Sequence, residues 1–444
     1  MTTIASKVRR LKQQLPDLIS PALIHVLLQK MSHRFRQRIL TPVLVIQLLV
    51  LRVLQANTAY AHLPHLAQCA FTPSAFCQAL ARLPLELLQG LLTAVGQSVD
   101  RNAPAAADLF AGHRVLLADG LCVSMPDTPA LAAKYGYAAG QKPGLGFPVA
   151  KLLLLLDLST GLIRRVMTNP YRTHELSQAR TLHPELQTGD ILVGDRAYCS
   201  FGHLALLLAR QCHGLFRAHQ RVLWTLSQKI KDSSTSLQAR IVQSLGRDDR
   251  LVVYRKPKAR PVWLSPEEYA ALPDEFTVRE LRYRVVQTGF RSRQIMLATT
   301  PLDPVRYTRL ELARLYGLRW QIETQFCHLK STLGMAVLKG KSVAIIEREI
   351  LAYVLVYNLV AREIRGAALR QNVTPDRISF IDVVRWLLAG MRPGEPRLVN
   401  RPRPGRFEPR ARKRRMINYP YMTRPREVLR DEMVQISKKA ASLT

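Results

Sequence analysis

RVLLADGLCVSM, from Arg114 to Met125, sets a single aspartate, Asp119, inside a run with strand periodicity. A carboxylate in the middle of an apolar strand is costly unless it is paired or holds a metal. A turn aspartate beside Gly120 is the plainer reading of the same residue. Two more runs follow, Ala150 to Leu158 and Leu162 to Thr168. A glycine-rich loop (Gly136 to Gly146) and the turn Ser159-Thr160-Gly161 join the three strands. A helix from about Glu175 to Leu182 leads to a fourth strand, Asp190 to Gly194, and a helix from Gly202 to Cys212 to a fifth, Gly214 to Ala218. The fourth strand ends in Gly194-Asp195-Arg196-Ala197-Tyr198. That is where open α/β sheets place their chemistry.

Three antiparallel strands followed by alternating helix and strand is the order of a ribonuclease-H-like mixed α/β core. The core is expected over 106–220, after a helical, DNA-binding N-terminal region (1–105). In the latter, Thr72-Pro73-Ser74 opens a helix to Leu83 that could present Ser74, Gln78 and Arg82 to a DNA groove or form an ordinary helical hairpin. Residues 221–303 read as a β-rich insertion, with strands Leu251 to Lys256, Val278 to Thr288 and Arg293 to Thr299. One long helix is expected from Val305 to Leu333, stopped by Gly334 and completing the core over 304–340. Helix continues over 341–391, at Val343 to Arg365 and Ile378 to Leu388, and a basic tail occupies 392–444. From Arg392 to Arg415 that tail has ten Arg or Lys and two acids.

Composition narrows the partners. Lys and Arg number 65 against 32 Asp and Glu, a net charge of +33, which suits a polyanion such as DNA because each neutralised phosphate releases counterions. No apolar run approaches the roughly 18 residues of a membrane span, so no membrane partner is expected and the chain reads as soluble and cytoplasmic. Six scattered cysteines lack paired spacing and suit a reducing compartment.

On the expected helix, Tyr316, Arg319, Glu323 and Lys330 fall within a sector of about 60° at roughly 100° per residue. Leu315, Leu318, Ile322 and Leu329 make the neighbouring apolar stripe. A solvated face with an Arg319–Glu323 ion pair would show the same pattern. Gly334-x5-Gly340-Lys341-Ser342 resembles a phosphate-binding loop but has one residue too many and follows a helix.

The spacing Tyr316-x2-Arg319-x3-Glu323-x6-Lys330, with Asp119 in Ala-Asp-Gly and Asp195 in Gly-Asp-Arg-Ala-Tyr, is similar to the signature of the insertion-sequence-4 family of DDE transposases. The resemblance runs over most of the chain. It implies a transposase that binds the terminal inverted repeats of its element and cuts and joins double-stranded DNA, a homodimer in the DNA complex. Asp119, Asp195 and Glu323 would be the catalytic, metal-holding trio for two Mg²⁺ ions, with Mn²⁺ able to substitute. Hard divalent ions prefer carboxylate oxygens, and three clustered carboxylates without a cation would repel one another. Arg319, Lys330, Arg196 and Tyr316 would lie along the DNA. Relatives that form a DNA hairpin use a tryptophan near the end of the insertion, whereas Arg293 to Leu297 has no aromatic here. Met296 and Trp263 are the available substitutes.

Overall fold

The computed structural model describes residues 19–36, 38–100, 110–138, 146–173, 175–218, 238–285, 293–389 and 424–441. Helices dominate its first part: Pro21–Lys30 (α1), Pro42–Leu54 (α2), Leu63–Ala67 (α3), Pro73–Arg82 (α4) and Leu85–Asp100 (α5). In α1, α2 and α4 proline takes the first helical position, where its missing N–H costs nothing. Thr41 and Thr72 cap α2 and α4 by accepting from the backbone N–H of Leu44 and Ala75. Along α4, Ser74, Gln78 and Arg82 form one exposed, hydrogen-bonded line. The expected boundary near residue 105 and the basic run from Arg392 to Arg415 lie outside the described residues.

The sheet follows: Val115–Ser124 (β1), then a short helix Pro129–Tyr135 (α6), Val149–Asp157 (β2) and Ile163–Pro170 (β3). Glu175–Ala179 (α7) precedes Ile191–Gly194 (β4), and Phe201–Ala209 (α8) precedes His213–Arg217 (β5). Strands β1, β2 and β3 are antiparallel neighbours, while β1, β4 and β5 run parallel. This is the strand order expected from the sequence.

The region read as an insertion continues the same sheet. Gln238–Gly246 (β6), Asp249–Arg255 (β7), Glu275–Val285 (β8) and Arg293–Thr299 (β9) extend it, with the helix Pro266–Ala271 (α9) between β7 and β8. β9 pairs with β5, giving a nine-stranded mixed sheet of order β3-β2-β1-β4-β5-β9-β8-β7-β6. Neither β6 nor α9 was expected. Arg282 on β8 is paired with Asp248.

The single long helix is in fact three segments. Arg309–Gly317 (α10) ends at Gly317, and Trp320–Cys327 (α11) begins after a tightened turn in which Arg319 N–H bonds Tyr316 O at 3.1 Å. The chain then widens into a π-turn over His328–Thr332, where Leu333 N–H reaches back to His328 O at 2.9 Å. A uniform 100° per residue therefore fails along this stretch. Leu315, Ile322 and Leu329 are buried as expected, but Leu318 is turned out to 38% exposure. Gly334 ends the segment with φ +80°, as the sequence indicated, and its carbonyl accepts from Asn57 Nδ2 at 3.1 Å.

Val343–Arg370 (α12), Phe380–Leu388 (α13) and Arg426–Ala441 (α14) complete the described chain. One apolar core joins α1 to α5, α10, α11 and α12 to one face of the sheet, and a second lies on the other face with α7 and α8. Among the described residues no single helix is long and apolar enough to cross a membrane.

Candidate active site

Alternation along β1 sends Leu116 and Ala118 to one core and Val115, Leu117 and Leu121 to the other. Asp119 has the parity of the second set, so it points to the side that carries α11. The parallel pairing of β1 with β4 runs from Val115↔Ile191 to Leu117↔Val193. Carried two residues past the last paired positions, that register would bring Asp195 across from Asp119 on the same side. The spacing of the two aspartates is thus the register of two adjacent parallel strands, which lie about 4.8 Å apart.

Local backbone fixes both carboxylates. Asp119 Oδ1 accepts from Gly120 N–H at 2.8 Å, and Asp195 Oδ1 caps a short 3₁₀ turn by accepting from Ala197 N–H at 2.7 Å. Gly194 is required just before it, because a Cβ there would meet the Tyr198 ring at 2.8 Å. Arg196 is exposed beside the pair.

Glu323, on α11, is 46% exposed at its side chain. Arg319 connects it to the sheet: Nη1 donates to Asp119 Oδ2 at 3.0 Å and Nη2 to Glu323 Oε1 at 3.3 Å. Burial alone would push the Arg319 guanidinium down. Tyr316, Asp119, Glu323 and Asp195 outweigh that and hold it above its ordinary value. All three acids therefore act on one cation. Among the described residues, no three His, Cys, Asp or Glu side chains are gathered closely enough to hold a metal ion together. The donor set nevertheless fits a hard divalent ion: it is all carboxylate oxygen, and a guanidinium already bridges two of its members as a stand-in cation.

Tyr316 is 3% exposed, so in this structure it packs beneath Arg319 with its ring centre 5.9 Å from the guanidinium carbon, and does not face outward. Lys330, on the π-turn, is half-buried. That turn is fixed by His328, whose ring stacks on Phe380 at 4.2 Å. Met296 and Trp263 are committed to packing, Met296 at 9% exposure and Trp263 against α8 at Gly202. The exposed aromatic beside the site is Trp320, at 61%, with the Arg319 guanidinium over its ring at 5.3 Å.

Sequence reasoning missed Arg217. Burial holds the Tyr316 and Tyr283 hydroxyls above the ordinary phenol value, and the charge of Arg217, at the C-terminal end of β5, acts against that rise on both, so it shares the site's electrostatics. A basic residue ending a parallel strand next to the second aspartate's strand was the available signal. The phosphate-loop look-alike is the entry to α12: Gly340 N–H donates to Glu349, and Ser342 caps the helix by accepting from Ile345 N–H.

Below the Asp195 turn lies a histidine pair. His203 Nδ1–H donates to Tyr198 O at 2.8 Å, leaving its Nε2 to accept from His183 Nε2–H at 3.0 Å. Burial pushes His183 down to about 3 and His203 down to about 4, from an ordinary 6.5. The unfolded chain binds more protons below pH 6.5, so the pair's contribution is complete above that pH and drains away as pH falls toward 4 and 3. The urea midpoint should fall between pH 7 and 5, and His203→Leu should flatten that slope. An identical slope in the variant would remove the pair from the pH response.

Residues 110–359 match the family described as transposase DDE domain. The chain is 27% identical over 332 residues, 72% of its length and 69% of the relative's, to the transposase InsG for insertion sequence element IS4 of Escherichia coli (strain K12). It is also similar, at 10% identity and a TM-score of 0.42, over 85% of this chain and 79% of the other, to the piggyBac transposase in a synaptic complex with hairpin DNA.

Proposed function

The chain belongs to the insertion-sequence-4 family of DDE transposases, and from that premise we propose that it binds the ends of its element and performs metal-dependent cleavage and strand transfer on double-stranded DNA. One observation supports the assignment of the site: Arg319 pairs with both Asp119 and Glu323, while Asp119 and Asp195 follow the last paired residues of the adjacent strands β1 and β4. The strand order β3-β2-β1-β4-β5 supports reading the core as ribonuclease-H-like. The helical N-terminal region, the sheet extension and the basic tail are its DNA-handling additions, in a complex we take to be a homodimer.

Asp119, Asp195 and Glu323 would hold two Mg²⁺ ions, or Mn²⁺, which when bound activate the attacking oxygen and stabilise the leaving one. The rest is the work of side chains. Asp119 and Asp195 are pre-oriented by their backbone hydrogen bonds. Arg319, Lys330, Arg196 and Arg217 supply the cations for phosphates beside the cut, and Tyr316 supports Arg319 from below.

The test is incubation of the full chain with Mg²⁺ and the DNA flanking its own gene, followed by mapping of the ends. Breaks at the element boundary with free 3′ hydroxyls are expected. Tight end binding without breaks would make the chain a DNA-binding derivative of a transposase, and breaks scattered without reference to the boundary would make it a general nuclease.

A further inference from the structure

We propose that Arg319 is an exchangeable counter-ion: in the DNA-free chain it neutralises Asp119 and Glu323, and when DNA engages, a divalent cation replaces it on the carboxylates while its guanidinium moves to a phosphate. The proposal rests on the reading of the trio as metal-holding, and it adds a coupling between DNA engagement and metal uptake.

The resting contact is built to be released. Its Glu323 leg, at 3.3 Å, reaches a carboxylate that is nearly half exposed, where an ion pair is worth little. Arg preceding Glu at i,i+4 is also the weaker order of that pair on a helix. The Asp119 leg is more enclosed, with side chains 12% and 17% exposed. Arg319 Nε is buried and has no hydrogen-bond partner, so the resting position leaves a donor of a strongly polar group unsatisfied. A phosphate, with several acceptor oxygens, offers the guanidinium a fork of bonds.

The surroundings permit the move. Arg319 sits at the junction where α10 ends and α11 begins, so a modest change at Leu318 or Arg319 redirects the side chain without unwinding a helix. The rings of Tyr316 and Trp320 flank the guanidinium, giving it aromatic faces to slide along. Charge balance favours the exchange. Three carboxylates, two divalent ions and one phosphodiester are together neutral. A guanidinium left among the carboxylates would compete with the ions, whereas on a phosphate it does not. By linkage, DNA must then tighten metal binding and metal must tighten DNA binding by the same factor.

The experiment is Mn²⁺ binding to the full chain, read from the resonance of free Mn²⁺, with and without a short duplex and corrected for the duplex's own uptake. The wild type should bind Mn²⁺ about tenfold more tightly with duplex than without. Arg319→Gln should bind Mn²⁺ about tenfold more tightly than wild type without DNA and gain little from duplex. Arg319→Lys, whose single ammonium cannot bridge both acids, should fall between and carries the test if the glutamine variant does not fold. DNA-free affinity in these variants equal to or weaker than wild type would overturn the exchange. An Asp119→Asn, Glu323→Gln double variant separates the two ideas. If it keeps wild-type Mn²⁺ affinity, the metal-holding reading falls and the exchange with it. If it loses Mn²⁺ while the Arg319 variants match wild type, only the exchange falls.

Discussion

Glu323→Ala will lower single-turnover cleavage in Mg²⁺ by at least about a thousandfold, roughly 4 kcal/mol of barrier, and leave binding to the DNA end, measured without divalent ions, unchanged or tighter. The expected asymmetry follows from where the residue sits. Its side chain is 46% exposed and its ion pair with Arg319 is long, so its removal takes little from the fold. It also removes a negative charge from a surface proposed to meet phosphates, which cannot weaken binding by electrostatics. Lys330→Ala should behave in the opposite way, weakening engagement of the cut strand with a loss that shrinks at high salt. Both variants are to be measured on one end fragment at two salt concentrations. Normal cleavage by the Glu323 variant would reduce α11 to a structural helix and sink the mechanism assigned to it.

The strands that carry the two aspartates were legible because each level of the sequence agreed. Strand periodicity located β1 and β4 to within a residue or two, and the interval between Asp119 and Asp195 is a register, which a parallel sheet must respect. Gly334 was legible for a local reason, since a stop at positive φ favours glycine. The four signature residues are spread over α10, the junction after it, α11 and the π-turn, so the single helical wheel drawn through them did not hold. Periodicity arguments assume one helical pitch, while Gly317 weakens the helix at the junction and the following turns first tighten and then widen. Leu318 and Tyr316 consequently changed places relative to the expected wheel, Leu318 turning outward and Tyr316 inward.

Other features were illegible because they depend on contacts distant in sequence. β6 gains its strand character from pairing with β7, and the sequence shows no clean alternation there. The extension of the core sheet through β9 depends on a pairing with β5 that no local pattern encodes. α2 held a clue that went unread. Its run from Leu48 to Leu54 is buried on every side, and Arg52 lies within it at 0% exposure. A fully buried arginine implies a partner somewhere in the chain.

That partner is Glu349 on α12, and its loss should be the most destabilising single change in the molecule's helical half. Arg52 Nη1 lies 2.8 Å from Glu349 Oε1, with both side chains fully buried. The same oxygen accepts from Tyr60 Oη at 2.6 Å, and Oε2 accepts from the backbone N–H of Lys339 at 3.1 Å and Gly340 at 3.0 Å. The Arg52 guanidinium lies over the Tyr60 ring at 4.2 Å. One carboxylate thus accepts three hydrogen bonds and balances the Arg52 charge, joining three parts of the chain, including the segment between the π-turn of Lys330 and α12. Glu349→Ala leaves a buried cation, a phenol and two backbone N–H groups without an acceptor, and should cost about 3–5 kcal/mol in urea unfolding. Arg52→Met should cost less than Glu349→Ala, since Glu349 retains three of its donors. The decisive measurement is the pair Arg52→Met, Glu349→Leu. Replacing both charges with apolar groups of similar size should recover much of the loss caused by Glu349→Ala, because the penalty comes chiefly from an orphaned charge and only in small part from a missing attraction. Additive losses in the double variant would instead mean that the hydrogen bonds to Tyr60, Lys339 and Gly340 dominate. The anchor of the Lys330 turn would then be the backbone contacts to Glu349, with Arg52 a bystander.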